Sequence, residues 1–199
     1  MPSISTTKMT AEEFFEWASR PENAGTRYEL EDGEIVAMPS PGELHGVVCW
    51  LIARLLGNYL FARGAGYICT NDTGLIVRRG PDTVRGPDVM LFLASKAFDQ
   101  LNPKHADQIP DLVVEVFSPN DRVRKTFQRV EQYLRRGVRL VWVVYPDEHS
   151  VQVFHGIEEF PKFHDELDDL TGNGVLPEFR CRVADLFAMP GVSPPTPNP

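Results

Sequence analysis

Two carboxylates sit where a charge is hardest to keep. Asp88 stands in Arg85-Gly-Pro-Asp-Val-Met-Leu-Phe-Leu93, and Glu115 in Pro110-Asp-Leu-Val-Val-Glu-Val-Phe-Ser118. Each lies on or beside an apolar run that reads as a buried strand. A charge there is costly unless it is paired or holds a cation. Two carboxylates converging from neighbouring strands make a hard-oxygen site suited to Mg²⁺ or Mn²⁺. Pro87 withholds an N–H from a sheet ladder, which places Asp88 at a strand start. By period-2 alternation Glu115 points with Val113 and Phe117, away from Val114 and Val116. A glutamate so placed serves equally well as a structural ion pair with an arginine or as a catalytic group. Glu29, Lys125 and Arg129 complete the candidate set, one further acid and two cations.

The elements that must position these groups are legible in outline. Thr10 reads as an N-cap with Glu13 in the capping-box position, opening a helix over 11–18. Residues 27–38 read as a hairpin turning at Asp32-Gly33. A long helix is expected over 43–63, with Val47, Val48, Leu51, Ile52, Leu55, Leu56, Tyr59 and Leu60 as its apolar stripe and Gly64 as its stop. Strand-like segments follow at 67–70, 74–78 and 89–93, with turn chemistry at Arg79-Gly-Pro-Asp82. Residues 96–110 read as a loop with a short helix. Residues 112–117 and 138–145 read as central strands, linked by a helix that starts at Ser118-Pro-Asn-Asp121 and ends at Gly137. Residues 150–155 read as an edge strand, 170–179 as a hairpin or turn, and 183–187 as a final helical turn. The whole is expected to be one α/β domain over 1–189, a mixed sheet flanked by helices, with a loose proline-rich tail over 190–199.

Bulk composition narrows the function classes. At 199 residues with 42% hydrophobic and 24% charged side chains, the chain suits one soluble domain with a substantial core. No apolar run is read as reaching a membrane span, and the first residues lack the apolar core of a signal peptide, so no membrane partner is expected. Cys49, Cys69 and Cys181 show neither a CxxC pair nor zinc spacing, which suits reduced thiols in a cytoplasm. The net charge of −8 argues against a protein that coats nucleic acid. Its distribution matters more. Arg122, Arg124, Lys125, Arg129, Arg135, Arg136 and Arg139 face a single acid, Glu131, between 122 and 139. Such a stretch is commonly a solvated helix face; directly after Glu115 it also suits a phosphate-facing surface. Of the histidines, His105, His149, His155 and His164 read as scattered and exposed, and Trp142 and Phe154 as core.

Taken together, these pieces resemble the PD-(D/E)xK restriction-endonuclease-like superfamily, and within it the Uma-two-type restriction endonuclease family. The resemblance is carried by Thr10-Ala-Glu-Glu-Phe14, Tyr28-Glu-Leu-Glu-Asp-Gly-Glu-Ile-Val-Ala-Met-Pro-Ser-Pro41 and His45. It continues in Gly86-Pro-Asp-Val89, Pro110-Asp-Leu-Val-Val-Glu-Val-Phe-Ser-Pro119, Gln132-Tyr-Leu-Arg-Arg-Gly-Val138, Val141-Trp-Val-Val-Tyr-Pro146 and 170–179. It implies a restriction-endonuclease-like fold and a metal-dependent phosphodiesterase acting on DNA. Asp88 and Glu115 would hold Mg²⁺ or Mn²⁺, with the backbone carbonyl of Val116 or Phe117 as a further ligand and Glu29 as a third acid. His45, Arg122, Arg124 and Tyr133 would face the substrate. One feature departs from the superfamily pattern. The lysine expected two residues after the glutamate is replaced by Phe117. Relatives in this branch move that lysine to the next helix, four residues before the tyrosine, where this chain has Arg129. An arginine stays protonated and makes a poor base, yet it can hold a phosphate. Lys125, one turn earlier, could supply an ammonium.

Two functions of different classes therefore stand: a Mg²⁺- or Mn²⁺-dependent DNA endonuclease, or a nucleic-acid-binding or regulatory module of the same fold without turnover. Cutting both strands of a duplex is simplest with two symmetric sites, which makes a homodimer plausible.

Overall fold

The computed structural model describes residues 8–118 and 123–191. The expected tail therefore lies outside the described residues beyond Gly191, as do Arg122 and the segment expected to open the helix after Glu115. Thr10 closes a full capping box with Glu13 over α1, Ala11–Ala18. Strands β1, Arg27–Glu31, and β2, Glu34–Met38, form the expected hairpin; Asp32 (φ 53) and Gly33 (φ 76) supply the two positive φ angles of a tight turn. Helix α2 runs Glu43–Arg63 and stops at Gly64, whose φ of 69 a glycine adopts without strain.

Two sheets share the work. The larger has six strands, in the order β10 (Lys162–His164), β9 (Ser150–Phe154), β8 (Leu140–Tyr145), β7 (Leu112–Val116), β6 (Val89–Phe92), β3 (Tyr67–Cys69). Strands β7 and β8 are its parallel pair, with Glu115 opposite Val143, and α3, Val123–Arg136, connects them. The smaller sheet has four strands, in the order β2, β1, β5 (Thr83–Arg85), β4 (Leu75–Arg78). A two-stranded ribbon of β11, Asp169–Thr171, and β12, Arg180–Arg182, lies near the end of the described chain.

The layers follow from alternation. Val89, Leu91, Leu112, Val114, Val116 and Trp142 turn to α2 and to Leu170, Leu176, Phe179, Val183 and Leu186. Met90, Val113, Val141 and Val143 turn the other way, to Val130 and Tyr133 of α3. A third cluster packs Ala11 and Phe14 of α1 on Leu30, Ile76 and Val84.

Several expectations need correction. The hairpin of β1 and β2 belongs to a separate antiparallel sheet rather than to one common mixed sheet. Strand β5 is an addition to the expected elements, because its three residues between Asp82 and Gly86-Pro87 carry no readable period. Residues 150–154 are not an edge, since β10 pairs outside them. His105, His155 and His164 are partly buried rather than exposed. Finally, α2 is 21 residues long and holds an 18-residue window with a mean hydropathy of 1.4, long and apolar enough by length and composition to cross a membrane. Here Val48, Ile52, Leu56 and Leu60 of α2 are buried against the larger sheet instead.

Candidate active site

Glu29, Asp88 and Glu115 reach one place from three strands or strand starts. They are only 4%, 8% and 8% exposed, so each needs a partner. Glu29 is the middle residue of β1. Its Oε2 accepts from Arg85 Nη1 at 3.0 Å and its Oε1 from the Gly86 N–H at 2.9 Å. Arg129 Nη1 adds bonds of 2.7 and 2.8 Å to the two oxygens of Glu29. Burial alone would push the Glu29 carboxyl up. The charges of Arg129 and Arg85 outweigh burial and hold it below the usual carboxylate range.

Asp88 precedes β6, as Pro87 requires. Its Oδ2 accepts the Val116 N–H at 2.6 Å, which locks it to β7, and its Oδ1 lies 2.9 Å from His45 Nε2. That hydrogen bond raises the His45 pKa against the opposing effect of burial. Ser118 Oγ lies 3.3 Å from the other ring nitrogen, Nδ1.

Glu115 points with Val113 towards α3, as alternation requires. Tyr133 donates its hydroxyl to Oε1, and Arg129 Nη2 approaches the same oxygen at 3.1 Å. Burial, together with the neighbouring Asp88 and Glu29 charges, outweighs these partners and pushes Glu115 up to about 7. The contrast with Glu29 is geometric. Arg129 aims two bonds at Glu29 and one longer bond at Glu115. Burial disfavours the Arg129 charge, but Glu115 and Glu29 overcome it and raise its pKa well above the ordinary value. Arg129 Nη2 also donates to the Gly86 carbonyl at 3.2 Å, while its buried Nε finds no acceptor among the described residues.

A cavity of about 630 Å³ opens over this cluster. Glu29, His45, Asp88, Glu115, Val116, Lys125 and Arg129 line it, with Arg85 and residues 36–44 forming part of its wall. Most of the sequence-derived candidates thus converge. Tyr133 lies one step behind, holding Glu115. Lys125 is exposed on the rim and forms no ion pair among the described residues. Arg124 is exposed and does not line the cavity, and Arg122 lies outside the described residues.

Three participants escaped the sequence reading. Arg85 is buried between Glu29 and Glu31, and its Nε donates to Gln132 Oε1 at 2.8 Å. Asp72 pairs with Arg27 beside the site, where burial raises its pKa. Cys49, one turn after His45, lies close to Asp88. Burial pushes its thiol up, and the Asp88, Asp72 and Glu115 carboxylates push it further. The spacing His45-x-x-x-Cys49 was the available signal.

A mixed sheet presenting clustered acids beneath a basic helix defines a restriction-endonuclease-like class of protein. The fold matches a solved protein from Anabaena variabilis ATCC 29413, described as a putative nuclease belonging to DUF820. The TM-score is 0.74 at 18% identity, over 90% of this chain and 97% of that one. The chain belongs to the Uma2 family, described as "Putative restriction endonuclease", which it matches over residues 11–184. No curated protein matches it.

Proposed function

We propose that the protein is a divalent-metal-dependent endonuclease that hydrolyses DNA phosphodiester bonds at the cavity over Asp88 and Glu115. One observation carries the reading: two buried carboxylates from adjacent strands, Asp88 and Glu115, share one cavity with a third, Glu29. The donor chemistry fits Mg²⁺ or Mn²⁺, with Asp88, Glu115 and the carbonyl of Val116 as the residues that would hold it. When bound, the cation supplies Lewis-acid stabilisation of phosphate charge and a lowered pKa for water.

The chain's own residues do the positioning. The Val116 N–H fixes Asp88, and Tyr133 fixes Glu115. Glu29 and the Gly86 carbonyl hold the guanidinium of Arg129 at the cavity floor, where it attracts a phosphate oxygen. Lys125 adds an ammonium at the rim. In the reaction water gives up a proton to solvent as it adds to phosphorus, the P–O bond to the leaving nucleoside oxygen breaks, and that oxygen takes up a proton. His45, hydrogen-bonded to Asp88, lines the same cavity and can exchange a proton there.

A second reading has its own observation. Arg129 stands where the family resemblance places a lysine, and its terminal nitrogens are spent on Glu29, Gly86 and Glu115. A guanidinium so engaged competes with a cation for Glu115, which favours a module that binds nucleic acid without cutting it. Incubation of supercoiled plasmid with the purified protein and Mg²⁺ or Mn²⁺ separates the two. Nicking or linearisation that disappears in Glu115→Ala is expected, and linear product without a nicked intermediate would support a homodimer. DNA binding without cleavage at either metal, with cleavage appearing in Arg129→Lys, would overturn the enzyme reading in favour of the second.

A further inference from the structure

His45 and Cys49 are four residues apart on α2, so their side chains share one face a turn apart. Asp88, entering β6, meets them there. One ligand atom from each of His45, Cys49 and Asp88 lies within 4.8 Å of the other two. We propose that these three side chains form a site for a thiophilic divalent cation, Zn²⁺ being the one their nitrogen, sulfur and oxygen donors suit.

The chemistry differs from that of the carboxylate pair. Mg²⁺ and Mn²⁺ favour all-oxygen surroundings, whereas a thiolate beside an imidazole selects zinc. Three protein ligands with a fourth position left open is the arrangement of zinc sites that keep a water or an external ligand. Zinc bonds of about 2.0–2.3 Å set tetrahedral ligand atoms roughly 3.5 Å apart, so a bound ion would part His45 Nε2 from Asp88 Oδ1, now 2.9 Å apart, and take the place of their hydrogen bond. The orientation needed from His45 already exists. Ser118 Oγ, 3.3 Å from Nδ1, leaves Nε2 turned to Asp88 at 2.9 Å. Partners of this kind fix the ring of a metal-binding histidine. Asp88 belongs to both donor sets. In one consequence, therefore, the inference rests on the nuclease reading: zinc held here withdraws Asp88 from the hard-cation pair and inhibits cleavage.

The full chain, stripped of metal and kept reduced without added thiols, is titrated with Co²⁺ and then with Zn²⁺. One Co²⁺ per chain is expected, with a near-ultraviolet thiolate-to-cobalt charge-transfer band that Zn²⁺ bleaches. Cys49→Ser should lose the band, and His45→Ala should weaken binding by at least about tenfold. Cys69→Ser and Cys181→Ser should keep both band and affinity. Because Cys49→Ser could misfold, alkylation of the wild type is a second measure: Zn²⁺ should protect Cys49 and leave Cys69 reactive. A wild-type chain without the band, or a band that survives in folded Cys49→Ser, overturns the site. These spectra are independent of DNA cleavage. A chain that shows the band but cuts no plasmid with Mg²⁺ or Mn²⁺ would defeat the nuclease reading and leave the zinc site intact.

Discussion

At the scale of single residues, burial decides what each charge can do, and His105 shows the rule most simply. It stacks on Phe14 at 5.5 Å and meets Phe15 edge-on at 5.2 Å. Its buried Nε2 has no partner among the described residues. Burial, helped by the Arg79 charge, lowers its pKa from 6.5 to about 4. The unfolded chain therefore binds a proton between these values that the folded chain refuses. Stability present above about pH 6.5 is lost as pH falls towards 4. His105→Phe keeps an aromatic ring in the site and removes this titration. Thermal melting of the two proteins should give parallel curves above pH 7 that diverge below 6.5, with the wild type falling further. Parallel curves down to pH 4 would show that the ring reaches solvent freely. In the active-site cluster the same desolvation acts on Glu115, but there it is set against Arg129 and Tyr133.

At the scale of elements, the site depends on a strand that pattern reading could not find. Strand β5 brings Arg85 to Glu29 and is followed by Gly86, whose N–H holds Glu29 and whose carbonyl holds Arg129. A Cβ on Gly86 would stand 2.9 Å from the Asp72 carbonyl and 3.0 Å from its Cβ. Gly86→Ala should therefore cost about 1–3 kcal/mol by overpacking, and it should loosen Glu29 and Arg129 together. Gly57→Ala makes the contrast. It lies in α2, where its Cβ would meet only Ile68 Cδ1 at 4.0 Å. It should stabilise the fold by about 1 kcal/mol through helix propensity. Equilibrium denaturation that gave the two variants the same sign would refute this account of Gly86. The difference between α1, the first hairpin and α2 on one side and β5 on the other is physical. A capping box, an Asp-Gly turn and a left-handed glycine stop are local chemistry, written in consecutive residues. Thr83-Val-Arg85 becomes a strand only because β1 and β4 lie on either side of it. The same limit hid β10 and made β9 look like an edge. In the site, Asp88 and Glu115 stand out because a charge beside an apolar run is conspicuous, and Glu29 and Arg129 gain their roles from the family resemblance. Arg85, Asp72 and Cys49 do neither, since their roles exist only across the fold.

At the scale of the molecule, the proposed DNA substrate would have to meet a chain of net charge −8 over a restricted surface. The described basic face is α3, where Arg124 and Lys125 are exposed and Lys125 stands at the cavity rim. Arg135 is already paired with Glu131 and Arg136 with Asp107, so they offer less to a phosphate. Binding through a few contacts releases a few counterions, and the logarithm of the affinity should fall with the logarithm of salt with a slope of about −0.9 per neutralised phosphate. Lys125→Ala should flatten that slope by about 0.9 and weaken every DNA sequence alike. Arg135→Ala, by contrast, frees Glu131 without removing a rim cation and should leave the slope nearly as it was. Binding measured across a salt series in the presence of Ca²⁺, which occupies oxygen sites but supports hydrolysis poorly, reads this without cleavage. An affinity indifferent to salt, or a slope changed by Arg135→Ala and not by Lys125→Ala, would place the DNA on another face of the molecule and separate the basic helix from the acidic cavity beneath it.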